Sequence, residues 1–483
     1  MKFDEIVEIC KKLEATRSKK EKVSILEKFL VKISNEEIKA ALGFLLGEMP
    51  KINVGYATIS KFMAIKAFKS FSTELKELYE KILNIGKIEG RTKKEMMLSS
   101  LLSSLNNEER KYLLKALIGE MRHGVNEGLL IESVSKAYGI KKDKIKRAFI
   151  FSSLPEIIKY ARMNKINEIK LQLYKPIKLM KADISSFDEI AGKELALEFK
   201  FDGIRIQVHK GKEVKIFSRN FKDLTNFLPE VVEEIKKIDG KFILDGEIIA
   251  YSDKPLPFQN LIKKFRMKNK INVPIKFFAF DILYLNGEVL IDNKYKERWE
   301  ILKEKFKDFL PIHIVTKSKE EMIKFFERAI KEGHEGIVAK DLHSLYRLRK
   351  GWYKIKKSYS LDLVIIAAEW GHGRRHRWLS DFWLAALDNG KFHMVGKTFK
   401  GLSDEEFEEL TQMLLKNKIK EKGRVIFVKP IVVEVEFDGI QKSRKYGYAL
   451  RFARIKRIRW DKDVKEANEI KDVKRIYEMQ QSI

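Results

Sequence analysis

The residues best suited to chemistry lie in Glu198-Phe-Lys-Phe-Asp-Gly-Ile-Arg205. A β-rich run ends at Phe199, and Asp202-Gly203 marks a turn just after Lys200. A lysine at a strand end can project into a cleft. A free lysine amine, with a pKa of about 10.4, is almost wholly protonated at neutral pH. Burial and nearby cations favour the neutral amine, which is a nucleophile. Arg205, Arg219 and lysines further along could supply that charge. Taken alone, the segment also fits a strand, a glycine turn and surface charges.

Further segments follow in order. Leu244-Asp-Gly-Glu-Ile-Ile-Ala250 places Glu247 just after an expected turn. Phe278-Ala-Phe-Asp-Ile-Leu-Tyr-Leu285 puts Phe280 beside Asp281 on a strand. Glu335-Gly-Ile-Val-Ala-Lys340 carries an acid and a lysine on a short strand. In Trp352-Tyr-Lys-Ile-Lys-Lys357, Lys354 and Lys356 are two apart and share one face of a strand. A basic cluster from Gln441 to Lys462 holds nine Lys/Arg and one acid. This ordered series resembles the signature of covalent nucleotidyltransferases: ATP-dependent DNA ligases, RNA ligases and mRNA capping enzymes.

The resemblance implies a role for each position. Lys200 would attack the α-phosphate of ATP to give lysine–AMP. Lys354 and Lys356 would neutralise charge on that phosphate. Glu247 and Glu335 would hold Mg²⁺, with Mn²⁺ as the other candidate. Phe280 would stack on adenine, and Glu198 would accept a hydrogen bond from its amino group. Arg205 and Arg219 would bind ribose or phosphate. Singly, Phe280 also reads as core, and Glu247 and Glu335 as turn acids in ion pairs.

The flanks resemble DNA ligases of the archaeal and eukaryotic replicative type. Lys115-Ala-Leu-Ile-Gly-Glu-Met-Arg-His-Gly-Val-Asn-Glu-Gly128 is similar to a segment of their DNA-binding domain. There Arg122 and the backbone of Gly124 are the implied phosphate contacts. Pro176-Ile-Lys-Leu-Met-Lys-Ala182 resembles the entry to the catalytic domain, with Leu179 and Lys181 departing from the usual ending. Leu361–Arg375, Leu379–Phe382 and Ile440–Phe452 resemble the C-terminal domain, with Ala453 in place of a proline. Arg459, Asp461 and Lys462 would orient pyrophosphate. Arg347, Arg349 and Lys350 compete for one further basic role. Two other readings stay open: an RNA ligase or GTP-using capping enzyme, and a DNA-binding scaffold without catalysis.

The elements that must position these residues divide the chain in three. Residues 1–175 have apolar residues at helical spacing (Ile6, Ile9, Leu13) and read as an all-helical domain, which the resemblance implies is DNA-binding. Residues 176–360 alternate short β-rich runs with helices at Leu228–Ile238 and Ser318–Glu332. They read as a mixed α/β domain, which the resemblance implies is a nucleotidyltransferase of ATP-grasp-like architecture. Residues 361–483 read as a small β-barrel with strands at Val425–Val428 and Ile431–Phe437 and an inserted helix near Asp404–Leu415, which the resemblance implies is an OB-fold.

Composition agrees. At roughly 100–200 residues per domain, the 483 residues suit two to four domains. A net charge of +29 favours a polyanionic partner over a solvated basic surface, and the resemblance implies that this partner is nicked duplex DNA. The single cysteine, Cys10, excludes disulfides within the chain, and the eight histidines show no zinc spacing. No apolar run spans a bilayer and no signal core is evident, so the expectation is a cytosolic, nucleoid-associated monomer without membrane contact. Replicative ligases often bind a sliding clamp. The nearest candidate peptide, Phe68-Lys-Ser-Phe71, reads better as core aromatics of a helix.

Overall fold

The computed structural model describes residues 1–52, 54, 73–266, 273–348, 351–372 and 375–481. The clamp-peptide candidate at Phe68–Phe71, and Arg349 and Lys350, lie outside them. The chain divides into two units: Met1–Lys170 with Trp370–Trp378, and Leu171–Glu369 with Leu379–Ile483.

The first unit is helical. In Phe3–Ala15 the buried residues Phe3, Ile6, Val7, Cys10 and Leu13 form one face at three- and four-residue spacing. Burial pushes the Cys10 thiol up to about 12, so it is inert packing. Side chains start several helices: Ser18 accepts from Glu21 N, Asn106 and Glu109 form a reciprocal capping box, and Asn126 accepts from Leu129 N. Gly119 and Gly139 end two of them in the left-handed conformation.

The second unit carries β1 (Asp183–Ile184), β2 (Leu195–Phe199), β3 (Ile204–Lys210), β4 (Val214–Ser218), β5 (Phe242–Ala250), β6 (Ile275–Leu285), β7 (Glu288–Val289), β8 (His313–Thr316), β9 (Gly336–Asp341) and β10 (Trp352–Lys356). These make two five-stranded sheets, ordered β1-β10-β9-β2-β8 and β4-β3-β5-β6-β7. The chain passes from one sheet to the other between β2 and β3, within the segment that holds Lys200. The helix Lys319–Lys331, capped by Ser318, covers the first sheet. The second sheet packs its apolar face on the helices Pro229–Lys236 and Tyr295–Lys305.

The C-terminal half contains β11 (Tyr359–Trp370), β12 (Leu379–Asp388), β13 (Lys391–Thr398), β14 (Lys418–Lys422), β15 (Val425–Phe437), β16 (Gly439–Ser443), β17 (Gly447–Arg451) and β18 (Arg454–Ile458). Five strands run β13-β12-β11-β15-β14, β18 joins β15, and β16–β17 form a hairpin. The helix Asp404–Lys416 is inserted between β13 and β14. This strand-rich half-barrel fits the OB expectation.

Two local expectations are corrected. Glu247 does not follow a turn; Asp245-Gly246 lies inside the continuous strand β5. A Cβ on Gly246 would sit 2.3 Å from the Phe278 carbonyl oxygen, so this glycine serves a close approach of backbones. The break expected at Lys429-Pro430 is also absent. β15 runs through it, and its pairing with β11 slips between Ile365↔Ile431 and Ala367↔Phe427, a bulge that tolerates the proline.

Gly203 is fixed by contact rather than by its turn. An added Cβ would lie 2.2 Å from the Ile248 carbonyl oxygen. Gly203→Ala is therefore expected to force β3 and β5 apart at the Lys200 end, costing about 1–3 kcal/mol. Thermal melting and AMP labelling should both fall. Unchanged values for both would refute the account.

Candidate active site

Lys200 is pinned by its backbone. Its N–H donates to the Gly336 carbonyl at 2.8 Å, and the Glu335 N–H donates to the Lys200 carbonyl at 3.0 Å. The two side chains therefore leave adjacent strand ends together, and the Lys200 ammonium donates to Glu335 Oε2. Gly336 permits this: its φ is +145°, and a Cβ would lie 2.1 Å from the Ile355 carbonyl oxygen.

Other charges crowd this pair. Lys356 Nζ is 3.8 Å from Glu335 Oε2 and 3.4 Å from Asp438 Oδ2. Arg451 lies 3.8 Å from Asp202 Oδ2. Burial raises the Asp202 carboxyl, and the Glu335 charge adds to this. Burial would raise Glu335 too, but Lys200, Lys356 and Arg451 outweigh it and hold the carboxyl low. Burial also lowers Lys354, and the positive charges of Lys356, Lys200 and Arg219 push the same way. Glu247 stands opposite Arg205 in the β3–β5 register. Burial pushes its carboxyl up to about 7, against the attraction of Lys200 and Arg205.

A second layer is closed to solvent. Lys340 Nζ donates to Glu198 Oε1 and to the Phe280 carbonyl, both at 2.7 Å, and Tyr295 Oη donates to the same Glu198 oxygen. Burial pushes Glu198 up and Lys340 down, as expected of a desolvated pair. The Lys340 ammonium sits 4.4–4.9 Å from the rings of Trp352, Tyr295 and Phe280. Phe280 is buried and meets Trp352 edge-on at 5.9 Å. Arg205 is committed elsewhere: a two-pronged pair with Asp245 at 2.9 and 2.6 Å, and a bond to the Met180 carbonyl. Asp245 also accepts from Tyr346 at 2.7 Å. Arg205 thus braces the site, and Arg219 is exposed at the end of β4.

The terminal motif is apart from this cluster. Arg459 donates to Asp362 at 3.0 Å and to Asp461 at 2.9 and 2.6 Å, while Lys462 donates to Asp362 at 2.7 Å. Much of the neighbouring basic run is neutralised across strands, with Arg454 on Glu436 and Asp438, Lys456 on Glu436, and Arg457 on Glu434. In the helical unit, Arg122 is half-exposed with φ +57° and lies 3.6 Å from Glu120. A cleft of about 490 Å³ is lined by Arg17, Lys19, Lys22, Lys142, Lys146 and Gly124, beside the N-terminus of Glu127–Tyr138. Glu132 also lines it and pairs with Lys19 and Lys142, and the remaining cations suit a phosphate. Arg347 is held by Asp292 at 2.6 Å.

Sequence reasoning missed Lys340 as an anchor, together with Tyr295, Asp245, Tyr346 and Asp438. The Lys340 signal was present, a cation inside the otherwise apolar Gly-Ile-Val-Ala-Lys strand. The others are partners that only long-range contact reveals.

Comparison with known proteins supplies the family. Residues 177–356 match the ATP dependent DNA ligase domain, 375–462 the ATP dependent DNA ligase C terminal region, and 2–88 and 58–135 the DNA ligase N terminus. The chain is 40% identical to DNA ligase 1 of Korarchaeum cryptofilum, covering 99% of both chains. It is 36% identical to a DNA ligase of Archaeoglobus fulgidus, over 87% of this chain and 81% of that one. The solved structure Pmar-Lig_PreS3 shares the fold with a TM-score of 0.68, at 19% identity, over 94% of this chain and 99% of its own. With a lysine, three carboxylates and paired strand lysines gathered where the two sheets meet, and with all three ligase regions matched in order, the chain belongs to the ATP-dependent DNA ligases.

Proposed function

We propose that Lys200 is the residue through which this ligase carries AMP. Its Nζ attacks the α-phosphorus of ATP, forming an N–P bond as pyrophosphate leaves. The 5′-phosphate at a nick then attacks the same phosphorus and returns Lys200 to the amine. Last, the 3′-hydroxyl attacks the 5′-phosphate, forming the phosphodiester and releasing AMP. The observation that carries this reading is the junction of Lys200 with Glu335, beside Lys356 and Lys354. While Glu335 holds the ammonium, the amine has no free pair for attack. The ammonium must first give up a proton, and Glu335 Oε2, which already accepts from it, is the base placed to take that proton.

Lys354 and Lys356 bind the α-phosphate and its growing charge. Glu198 reads the adenine amino group through the oxygen not engaged by Lys340 and Tyr295. Phe280 and Trp352 wall the base. The buried Trp352 indole N–H has no hydrogen-bond partner among the described residues, as suits a donor kept for a ligand. Arg219 takes ribose or phosphate, while Arg205 acts through Asp245.

No ready-made cluster of three metal-ligating side chains occurs among the described residues. Mg²⁺ does not require one, since it binds by one or two carboxylates together with waters and substrate phosphates. Glu247 and Glu335 fit that donor set, and the ion bound there would draw charge from the phosphates. Because burial holds Glu247 up to about 7, the folded protein keeps this proton more tightly than the unfolded chain. The resulting stability is present at low pH and is lost as pH rises through about 7 in metal-free protein. Cation binding needs the carboxylate, so apparent Mg²⁺ affinity should climb up to about pH 7 and then level. Glu247→Gln should weaken and flatten that profile. A wild-type profile flat from pH 5.5 to 8 would count against the assignment.

The parts divide as helical DNA-binding (1–175), nucleotidyltransferase (176–360) and OB-fold (361–483) regions. With Arg459 and Lys462 held on Asp362, and Arg451 and Asp438 turned to the site, this arrangement suits the DNA steps rather than attack on ATP. The basic cleft around Gly124, with Arg122 nearby, holds duplex phosphates. Among the described residues no helix is long and apolar enough to cross a membrane. We place the enzyme with the nucleoid, acting as a monomer on nicked duplex. The test is labelling with ATP carrying ³²P at the α-phosphate, then a chase with nicked DNA. Label that nicked duplex does not remove, or label from GTP alone, would refute the reading.

A further inference from the structure

The chain crosses from β10 to β11 through Lys357 and Ser358 alone, so the joint between the nucleotidyltransferase region and the C-terminal strands lies beside the paired lysines. Asp438 is fixed at that joint. Phe437 at the end of β15 pairs with Tyr359 at the start of β11, their rings stacked at 5.8 Å. Asp438 is the next residue, between β15 and β16, and its N–H donates to the Arg451 carbonyl at 3.0 Å. Its side chain reaches back over the joint. Lys356 Nζ donates to Asp438 Oδ2 at 3.4 Å, and Arg454 donates to Asp438 Oδ1 at 2.9 Å. Arg451, opposite Gly439 on the same hairpin, makes the reverse contact, 3.8 Å from Asp202. The hairpin thus sets a carboxylate on an active-site lysine and a guanidinium on an active-site carboxylate.

A structural ion pair accounts for Arg454 on Asp438, since both belong to the C-terminal strands. It does not account for Lys356. That lysine already has Glu335 Oε2 within 3.8 Å and stands where the α-phosphate of ATP is to bind. A carboxylate brought to a phosphate-binding lysine competes with the phosphate, so the strength of the contact depends on what the site holds. With the triphosphate bound, phosphate charge matches Lys354 and Lys356 and repels a further carboxylate. Once AMP is on Lys200 and pyrophosphate has left, most of that negative charge is gone. Lys354 and Lys356 share one face of β10, and their charges then oppose each other with fewer anions between them. Asp438 is an anion within reach of that deficit, and it comes from the far side of the joint.

We propose that Asp438 is a positioning residue for the DNA steps: it takes hold of Lys356 when pyrophosphate leaves, and so ties the seating of the C-terminal strands to the enzyme–AMP state. This rests on the reading that the arrangement described above serves the DNA steps. Asp438 acts through Lys356 and takes no part in the attack on ATP, where it is a competitor.

The test separates the steps. Enzyme–AMP formation is timed with labelled ATP and no DNA, and sealing is timed on a nick that already carries the 5′-adenylate, at one fixed salt concentration. The proteins are wild type, Asp438→Asn, Asp438→Glu, Lys356→Met and the double variant Asp438→Asn with Lys356→Met. Asp438→Asn should form enzyme–AMP at or above the wild-type rate and with a lower KM for ATP, because a competitor for Lys356 is gone. It should seal the adenylated nick roughly 10- to 100-fold more slowly. Asp438→Glu should recover most of the sealing. The double variant should seal no more slowly than Lys356→Met alone, since the two residues act as one unit. Asp438→Asn should melt close to wild type, because Arg454 keeps Glu436. The proposal is overturned if Asp438→Asn slows both steps alike, if it seals at the wild-type rate, if its KM for ATP is not lowered, or if its loss multiplies with that of Lys356→Met. Failure of wild type to seal the adenylated nick would overturn the reading of the DNA steps itself, and this proposal with it.

Discussion

Lys200→Ala is expected to abolish enzyme–AMP formation and with it nick sealing from ATP, a loss of about 10⁵-fold or more. No neighbour can substitute. Lys354 and Lys356 leave β10, a different strand from the one that ends just before Lys200, and Lys356 is shared between Glu335 and Asp438. Lys200→Arg should be equally inactive, because a guanidinium stays protonated. Both variants should melt within a few degrees of wild type, since the Lys200–Glu335 pair is partly exposed and Lys356 remains to face the carboxylate. Both should also seal a nick that already carries the 5′-adenylate, a step that needs no lysine nucleophile. Residual labelling of Lys200→Ala would move the nucleophile to another residue.

The largest expected effect on folding is at Asp281 and Arg298. The two side chains are fully buried and joined at 2.7 and 2.9 Å, and Arg298 also donates to the Asn293 carbonyl at 2.6 Å. Asp281→Ala leaves a guanidinium in the interior without its carboxylate, costing about 3–5 kcal/mol. For a unit of this size the melting temperature should drop by roughly 10 °C. Replacing both residues, as Asp281→Leu with Arg298→Met, should restore much of this, because the burial of charge is then removed along with the attraction. ATP use should suffer beyond the stability loss. Asp281 adjoins Phe280, and Arg298 shares its helix with Tyr295, which holds Glu198. If the single and double variants melt alike, the pair is not the element holding that helix to β6.

The two predictions separate what could be read from residue types and what could not. Lys200, Glu335, Lys354 and Lys356 were legible as candidates because their placement is set by local spacing: a strand end, a strand start, and a two-residue alternation. The helical unit was legible for the same reason, through its apolar periodicity and its caps at Ser18, Asn106 and Asn126. Arg205 shows the limit. Its type and position suggested contact with substrate, yet three of its donors serve Asp245 and Met180. Nothing near Arg205 in the chain announces a carboxylate forty residues away. The same limit applies to the basic run from Gln441 to Lys462. It suggested a free cationic face, but the acids of β15 lie opposite much of it once the strands pair.

By itself, the sequence determined the family and the presence of helical, mixed and strand-rich regions, and it marked Lys200 as the candidate nucleophile beside a pair of strand lysines. All of these follow from short-range patterns that the backbone must obey wherever it folds. Only the tertiary structure decided which charges remain available. It placed Glu335 on Lys200, buried Lys340 against Glu198, and set Arg459 and Lys462 on Asp362. A charge's function depends on its partner and on its distance from water, and strand pairing brings those partners together from residues 17 to 142 positions apart.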